Sequence, residues 1–312
     1  MSKLAIIDLG TNIIKVLVGV VMPERYVFLY KKKVTLCIGN QSINNNISLE
    51  NQQYIIHILL NIKKKLEREG IGCIIAKATS LLRQSSNASD VISAILWATG
   101  IEVEVISGSE EADLIYLGCT STGSFTDEHN LIVDIGGGSV ECIIFNQTGV
   151  LWKQSFEMGI RRVASWFSYS DPITSKELNQ LKGYYSTALA SLFTAAIPYK
   201  LFTLIGTSGA FRTLLALYNY CYPSAVSASN DQVRKLSVEQ FYKIYPIILT
   251  RPVHIWQQQV CIDPIFLKLI PLSAVLIDLI LKTGNLQTII MIDSPLKIGL
   301  FMREWHRLKN LH

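Results

Sequence analysis

Two stretches of the chain share one hydrophobic design. "LAIIDLGTNIIKVLVG" (4–19) runs an apolar segment into Asp8, turns through Gly10, and resumes as a second apolar run from 14 to 21. "LIVDIGGGSVECIIF" (131–145) does the same around Asp134 and three consecutive glycines. Beyond that turn Val140, Cys142 and Ile144 alternate with Ser139, Glu141 and Ile143. Apolar runs of this length that flank a turn, one of them alternating, predict strand, tight turn and returning strand in both places. The two aspartates lie 126 positions apart. Residue identity between the stretches is weak, but the repeated plan predicts two related α/β halves.

Between and after these turns the period changes. A third strand is expected at 26–36, and Ile55, Ile58, Leu59, Ile62 and Leu66 recur at helical spacing over 51–69 with lysines opposite. A strand at 72–79 enters a loop, Ser89 to Thr99 reads as a helix closed by Gly100, and "IEVEVIS" (101–107) reads as a strand. "GSEEADLIYLGCT" (108–120) reads as a turn bearing Glu110 and Glu111 that leads into a helix. The polar run "GSFTDEHN" (123–130) marks a boundary between residues 1–122 and 123–312, with 119–130 as the expected hinge. "LFTLIGTSGAFRTLLAL" (201–217) differs, running strand, G-x-x-G turn, helix, a geometry that presents backbone N–H groups to an anion. The pattern from 237 is mostly helical until a strand at 288–294, and a last helix is expected to pack back on the first half over about 295–312.

Composition narrows the function classes. A chain of 312 residues with 49% hydrophobic content has material for two cores. The net charge of +5 is mild, and Lys31–Lys33 and Lys63–Lys65 are short runs typical of solvated faces, so no nucleic-acid partner is expected. Six dispersed cysteines without C-x-x-C spacing and five histidines without an H-x-x-x-H pair argue against zinc and against a disulfide framework. Asp8 interrupts the only N-terminal apolar run, and Lys268, Pro271 and Asp278 interrupt the longest one (266–284). These features predict no signal peptide and no membrane span, hence a cytoplasmic protein. Apolar segments in the second half leave a homodimer open.

Glycine turns let backbone amides approach phosphate oxygens, and an aspartate at the strand end can hold a Mg²⁺ that contacts them. Two such turns facing each other across a cleft would grip a polyanion from both sides. A single turn of this kind reads more readily as an ordinary hairpin; two matched turns plus the third glycine turn reverse that preference. No G-x-x-x-x-G-K-[ST] occurs, and the segment after Gly138 reads as strand rather than helix, which argues against P-loop and Rossmann enzymes.

"AIIDLGTN" (5–12), "KATSLLRQSSNASDVI" (77–92), "EVISGSEEADLIYLG" (104–118) and "IVDIGGGSVE" (132–141) occur in this order, supported by "GIRRV" (159–163) and "IGTSGAFRTLLAL" (205–217). In these motifs, spanning residues 4 to about 217, the chain resembles the exopolyphosphatase and guanosine pentaphosphate phosphohydrolase (Ppx/GppA) family. That resemblance implies an actin/Hsp70/sugar-kinase superfold with two ribonuclease H-like domains and a cleft between them, in a short form lacking the extra C-terminal helical domain of longer relatives.

It further implies Mg²⁺ (or Mn²⁺)-assisted attack of water on a terminal phosphoanhydride of polyphosphate or guanosine pentaphosphate. By analogy Glu111, or its neighbour Glu110, is the general base, and Arg83 neutralises phosphate charge. Asp134, Glu141 and Asp8 would hold the metal. Phosphate-binding positions would be Gly10, Thr11, Asn12 and Lys15 at the first turn, and Gly136, Gly137, Gly138 and Ser139 at the second. Arg162 and the third turn (Gly206, Ser208, Gly209) would add to these.

Without the resemblance, Glu110 and Glu111 could be the acidic first turn of a helix, Arg83 a surface residue, and Glu141 a solvent-facing strand position. Departures from the family pattern are Ile13 in place of a hydroxyl, Lys15 and Lys297 in place of arginines, and Phe266–Leu269 in place of an Arg-Ala-Asp segment. Two other readings on the same superfold are a catalytically weak nucleotide or alarmone sensor and a small-molecule kinase.

Overall fold

The computed structural model describes residues 2–11, 13–36, 46–122, 125, 128–223 and 233–310. The chain forms two compact units, one of Met1–Ser121 with Pro295–His312, the other of Thr122–Ser294.

The first unit opens with β1 (Ser2–Leu9), β2 (Ile13–Val21) and β3 (Tyr26–Thr35), followed by α1 (Leu49–Arg68) and β4 (Cys73–Ala78). The one-turn α2 (Ser80–Arg83), α3 (Ala88–Thr99), β5 (Val103–Val105) and α4 (Gly108–Thr120) complete its N-terminal part. The sheet order is β3-β2-β1-β4-β5, with β1 antiparallel to β2 and parallel to β4.

Side chains of the central strands alternate between the faces. Ile7, Leu9, Val16, Val18, Ala76 and Ala78 meet Ile55, Leu59 and Ile62 of α1 and Val91 and Ile95 of α3 in one core. Ser48 caps α1 by accepting from the Asn51 N–H, and Gly100 ends α3 in the left-handed conformation at φ 63°. On the other face, Gly19 leaves room for the ring of Phe301, which also packs edge-on to Phe28 at 5.1 Å.

The second unit runs β6 (His129–Ile135), β7 (Val140–Asn146), β8 (Gly149–Phe156), α5 (Ile160–Trp166), α6 (Ser175–Ala188) and α7 (Ala190–Ala196). It continues with β9 (Leu201–Thr207), α8 (Ser208–Cys221), β10 (Val233–Ser237), α9 (Val238–Thr250), α10 (Val253–Gln259), α11 (Pro264–Thr283) and β11 (Thr288–Ile292). Its sheet order is β10-β11-β9-β6-β7-β8, and β6 is antiparallel to β7 and parallel to β9. The β6-β7-β8 meander therefore repeats β1-β2-β3, and β9 repeats β4.

By length and apolar content alone α11 could cross a membrane, but 72% of its most apolar window is buried inside this unit. Its Asp278 is 1% exposed and is held by Lys282 at 2.8 Å and Lys182 at 3.8 Å.

Helix α12 (Pro295–Lys309) belongs to the first unit and lies against α4 at backbone distance. Glycines permit this approach: a Cβ on Gly118 would stand 2.0 Å from the Pro295 carbonyl oxygen, and one on Gly299 1.9 Å from that of Leu114. Trp305 ties the far end of α12 down by donating from its indole N–H to the Met22 carbonyl at 2.9 Å.

Candidate functional site

Both candidate glutamates sit in the first turn of α4, where Ser107 caps the helix by accepting from the Glu110 N–H at 3.1 Å. Adjacent positions on a helix point about 100° apart, and the two carboxylates separate accordingly. Glu110 turns toward α12 and pairs with Arg303 at 2.7 Å. Glu111 turns inward, is 7% exposed, and accepts from Arg83 Nη1 at 2.8 Å. Arg83 ends α2 and its Nη1 also donates to the Ile106 carbonyl at 3.2 Å. Of the alternatives left open by sequence, Glu111 with Arg83 forms the enclosed acid–guanidinium pair, while Glu110 belongs to the α4–α12 contact.

The first glycine turn lies between β1 and β2, where the Gly10 N–H donates to the Ile13 carbonyl at 3.2 Å. Thr11 occupies the turn, and Asn12 lies outside the described residues. At the level of Asp8 the five strands of this sheet place Lys33, Lys15, Asp8, Lys77 and Glu104 side by side. Asp8 is 1% exposed and accepts from Lys15 Nζ at 3.1 Å, while Lys77 donates to the Glu104 carboxylate. The sequence signal for this second ion pair is the lone Lys77 inside the apolar run "GCIIAKAT".

The second turn is built differently. Gly136 N–H donates to the Ser139 carbonyl at 2.9 Å, closing the turn. The start of α5 docks onto it by backbone. Gly159, Ile160 and Arg161 N–H groups donate to the carbonyls of Gly138, Gly136 and Gly137 at 3.0, 2.9 and 3.0 Å. A Cβ on Gly159 would lie 2.3 Å from Gly138 backbone atoms, so "GIRRV" is a buttress of the glycine turn. Arg162 joins through its own N–H to Gly137, and its guanidinium stands 4.0 Å from Glu157.

At the level of Asp134 this sheet places Thr207, Asp134, Glu141 and Ser155 side by side. Glu141 is 1% exposed and accepts from Ser155 Oγ at 2.7 Å. Burial, reinforced by the Glu141 charge, pushes the neighbouring Cys142 thiol up.

The third glycine segment departs from the expected loop. β9 runs through Thr207 directly into α8 at Ser208, which takes φ 81° and donates from Oγ to the Ile135 carbonyl at 2.6 Å. Gly206 is a strand residue whose missing Cβ makes room for the Phe211 ring, 2.2 Å from where that atom would be. Gly209 faces the Phe266 ring in the same way, at 3.2 Å. Packing accounts for Gly206 and favours a small residue at 209.

A divalent cation fits one of the two rows. Mg²⁺ takes oxygen ligands and is commonly held by one or two carboxylates plus substrate phosphates. Asp134 and Glu141, opposite one another, supply those carboxylates. Among the described residues no set of three or more His, Cys, Asp or Glu side chains gathers into a metal cluster. The Asp8 row does not fit, because the Lys15 ammonium already neutralises its carboxylate.

The fold defines a two-unit α/β protein of the actin-like class, with an Asp-bearing glycine turn in each unit. A family model for the Ppx/GppA phosphatase family matches residues 21–243, and the chain belongs to that family. It is similar to an exopolyphosphatase from Cytophaga hutchinsonii, with 27% identity, a TM-score of 0.92 and 98% of each chain covered. The Ppx/GppA family member from Aquifex aeolicus shares the fold at 20% identity and a TM-score of 0.81, covering 100% of this chain and 99% of that one. A bifunctional 3-dehydroquinate synthase/phosphatase of Fusobacterium nucleatum is 28% identical over 188 residues, 57% of this chain. That match spans 28% of the relative's length.

Proposed function

We propose that the protein is a Mg²⁺-dependent hydrolase that releases orthophosphate from the terminal phosphoanhydride of inorganic polyphosphate or guanosine pentaphosphate. The observation that carries this reading is the enclosed Glu111–Arg83 pair at 2.8 Å on the capped end of α4. Family membership and the likeness to an exopolyphosphatase support it.

Attack of water on phosphorus needs an oriented nucleophile and neutralised equatorial oxygens. Glu111 is the group that takes the water's proton, a role contributing about 10²–10⁴-fold in rate. Arg83 fixes the carboxylate and offers a planar guanidinium to a phosphate oxygen. Asp134 and Glu141 would hold the cation, which when bound supplies charge neutralisation to the phosphoryl group. Amides of the second glycine turn beyond Gly136, whose own N–H closes the turn, bind phosphate oxygens together with the Lys15 ammonium. Cys73, Cys119, Cys142, Cys221 and Cys261 are free thiols, which supports a reducing, cytoplasmic setting.

Phosphate release from polyphosphate and from guanosine pentaphosphate, with Mg²⁺ and with EDTA, tests the proposal. Release in Mg²⁺ without any acceptor supports a hydrolase rather than a kinase, and the faster substrate identifies the preferred one. Absence of release from both substrates refutes the reading.

A further inference from the structure

The row Thr207–Asp134–Glu141–Ser155 contains one buried side-chain oxygen, on Thr207, that no described residue engages. Thr207 is fully buried at 0% exposure, and its hydroxyl has no hydrogen-bond partner among the described residues. A buried hydroxyl left without a partner is costly and rare, so its retention needs a cause. Thr207 is also the N-cap of α8, where a threonine side chain usually accepts from the helix; here it makes no capping bond. Directly opposite Asp134 in the sheet, its side chain lies on the face that carries both carboxylates. The next residue, Ser208, holds φ 81° and is pinned to the end of β6 through Ile135, which fixes where the strand stops and Thr207 points.

Ser155 shows what the row does with a hydroxyl when one is meant for a carboxylate: it donates to Glu141 at 2.7 Å. Thr207 makes no such bond to Asp134. A hydroxyl oxygen next to Asp134, on the side away from Glu141 and Ser155, is a third hard-oxygen donor in the row. We propose that Thr207 supplies the third protein oxygen to a divalent cation held by Asp134 and Glu141. This inference deepens the proposed function and rests on its reading of the carboxylate pair. The remaining coordination positions fall to water and substrate phosphate, as suits Mg²⁺.

The test is Mn²⁺ binding by the full chain, followed by electron paramagnetic resonance and calorimetry, with thermal melts in EDTA. Thr207→Val removes only the hydroxyl, and Thr207→Ala is the second variant with the same expectation. Both should bind Mn²⁺ about 10–100-fold more weakly, the range seen when groups that tune a metal site are lost. Thr207→Ser should stay within about threefold of wild type, because it keeps the oxygen. In EDTA, Thr207→Val should melt no lower than wild type, since it deletes an unsatisfied polar atom. Unchanged Mn²⁺ affinity in Thr207→Val and Thr207→Ala overturns the proposal. Asp134→Asn separates the two levels. If it abolishes Mn²⁺ binding while Thr207→Val does not weaken it, only the threonine assignment falls. If Asp134→Asn binds as wild type, the carboxylate reading falls and takes Thr207 with it.

Discussion

Gly299→Ala puts a methyl group where α12 meets α4. The new Cβ would stand 1.9 Å from the Leu114 carbonyl oxygen and 2.7 Å from its carbon, against an ordinary contact distance of 3.4 Å or more. Relief therefore requires the helices to part by about 1.5 Å, the difference between those distances. Neither obstacle is a side chain that can rotate away.

Overpacking costs about 1–3 kcal/mol and sometimes more, and two backbone obstacles place this site at the upper end. Alanine returns about 1 kcal/mol through helix propensity. The net is a loss of about 2 kcal/mol, or about 6–10 °C in melting temperature for a unit of this size. The change also moves the helix that carries Glu111, the proposed base, and a shift of about 1 Å in a catalytic group can lower the rate about 10²-fold. Differential scanning calorimetry and phosphate release on the same preparation measure both effects. A melting temperature that stays level or rises would mean propensity wins and the backbone contact is not as described.

Three further outcomes follow from other contacts. Gly159→Ala places a Cβ 2.3 Å from Gly138 backbone atoms, so α5 must lift off the glycine turn; tripolyphosphate binding by calorimetry should weaken and the melt should drop. Glu110→Gln loses only the ion pair to Arg303 and should keep phosphate release within about threefold of wild type, since a partly exposed pair contributes about 1 kcal/mol or less; loss of activity would return the base assignment to Glu110. Hydrogen bonds from the Thr174 side chain and backbone, then from Ser170, hold Glu177 at about 2. A carboxyl lowered from 4.5 stabilises the fold fully above that value and progressively less as pH falls toward about 2. Melts of wild type and Glu177→Gln should differ at neutral pH and converge below about pH 4; a constant gap across that range would refute the assignment.

Local pattern carried much of the architecture. Ile55, Ile58, Leu59, Ile62 and Leu66, five residues of the 51–69 periodicity, are the five that α1 buries. The Asp-Gly turns gave both hairpins, since apolar runs of strand length on each side of a glycine turn admit few other structures. What escaped was set by pairing rather than by local pattern. β8 (Gly149–Phe156) mixes Trp152, Lys153 and Gln154 and reads as strand only once β7 pairs with it. β10 carries Arg234 and Lys235 on a five-residue edge.

The third glycine segment looked like a phosphate loop because G-x-x-G fits one. Its first glycine instead answers to Phe211, one turn into the following helix, a contact that spacing does not reveal. In the site, residue types were legible and their division was not. Glu110 and Glu111 are equivalent in sequence until Arg303, 193 positions away, claims one of them. Lys15 and Glu141 occupy matching places in the two repeats with opposite charge, and only the registers show the consequence for Asp8 and Asp134.

As the proposed base, Glu111 acts in the chemical step rather than in holding the anion. Single-turnover phosphate release by Glu111→Gln, with tripolyphosphate affinity measured on the same protein in Mg²⁺, tests it most directly. The expected rate lies about 10²–10⁴-fold below wild type, with the dissociation constant within about threefold. A variant that hydrolyses tripolyphosphate at a rate near wild type, or one whose slow turnover is recovered fully by raising its concentration, would contradict it.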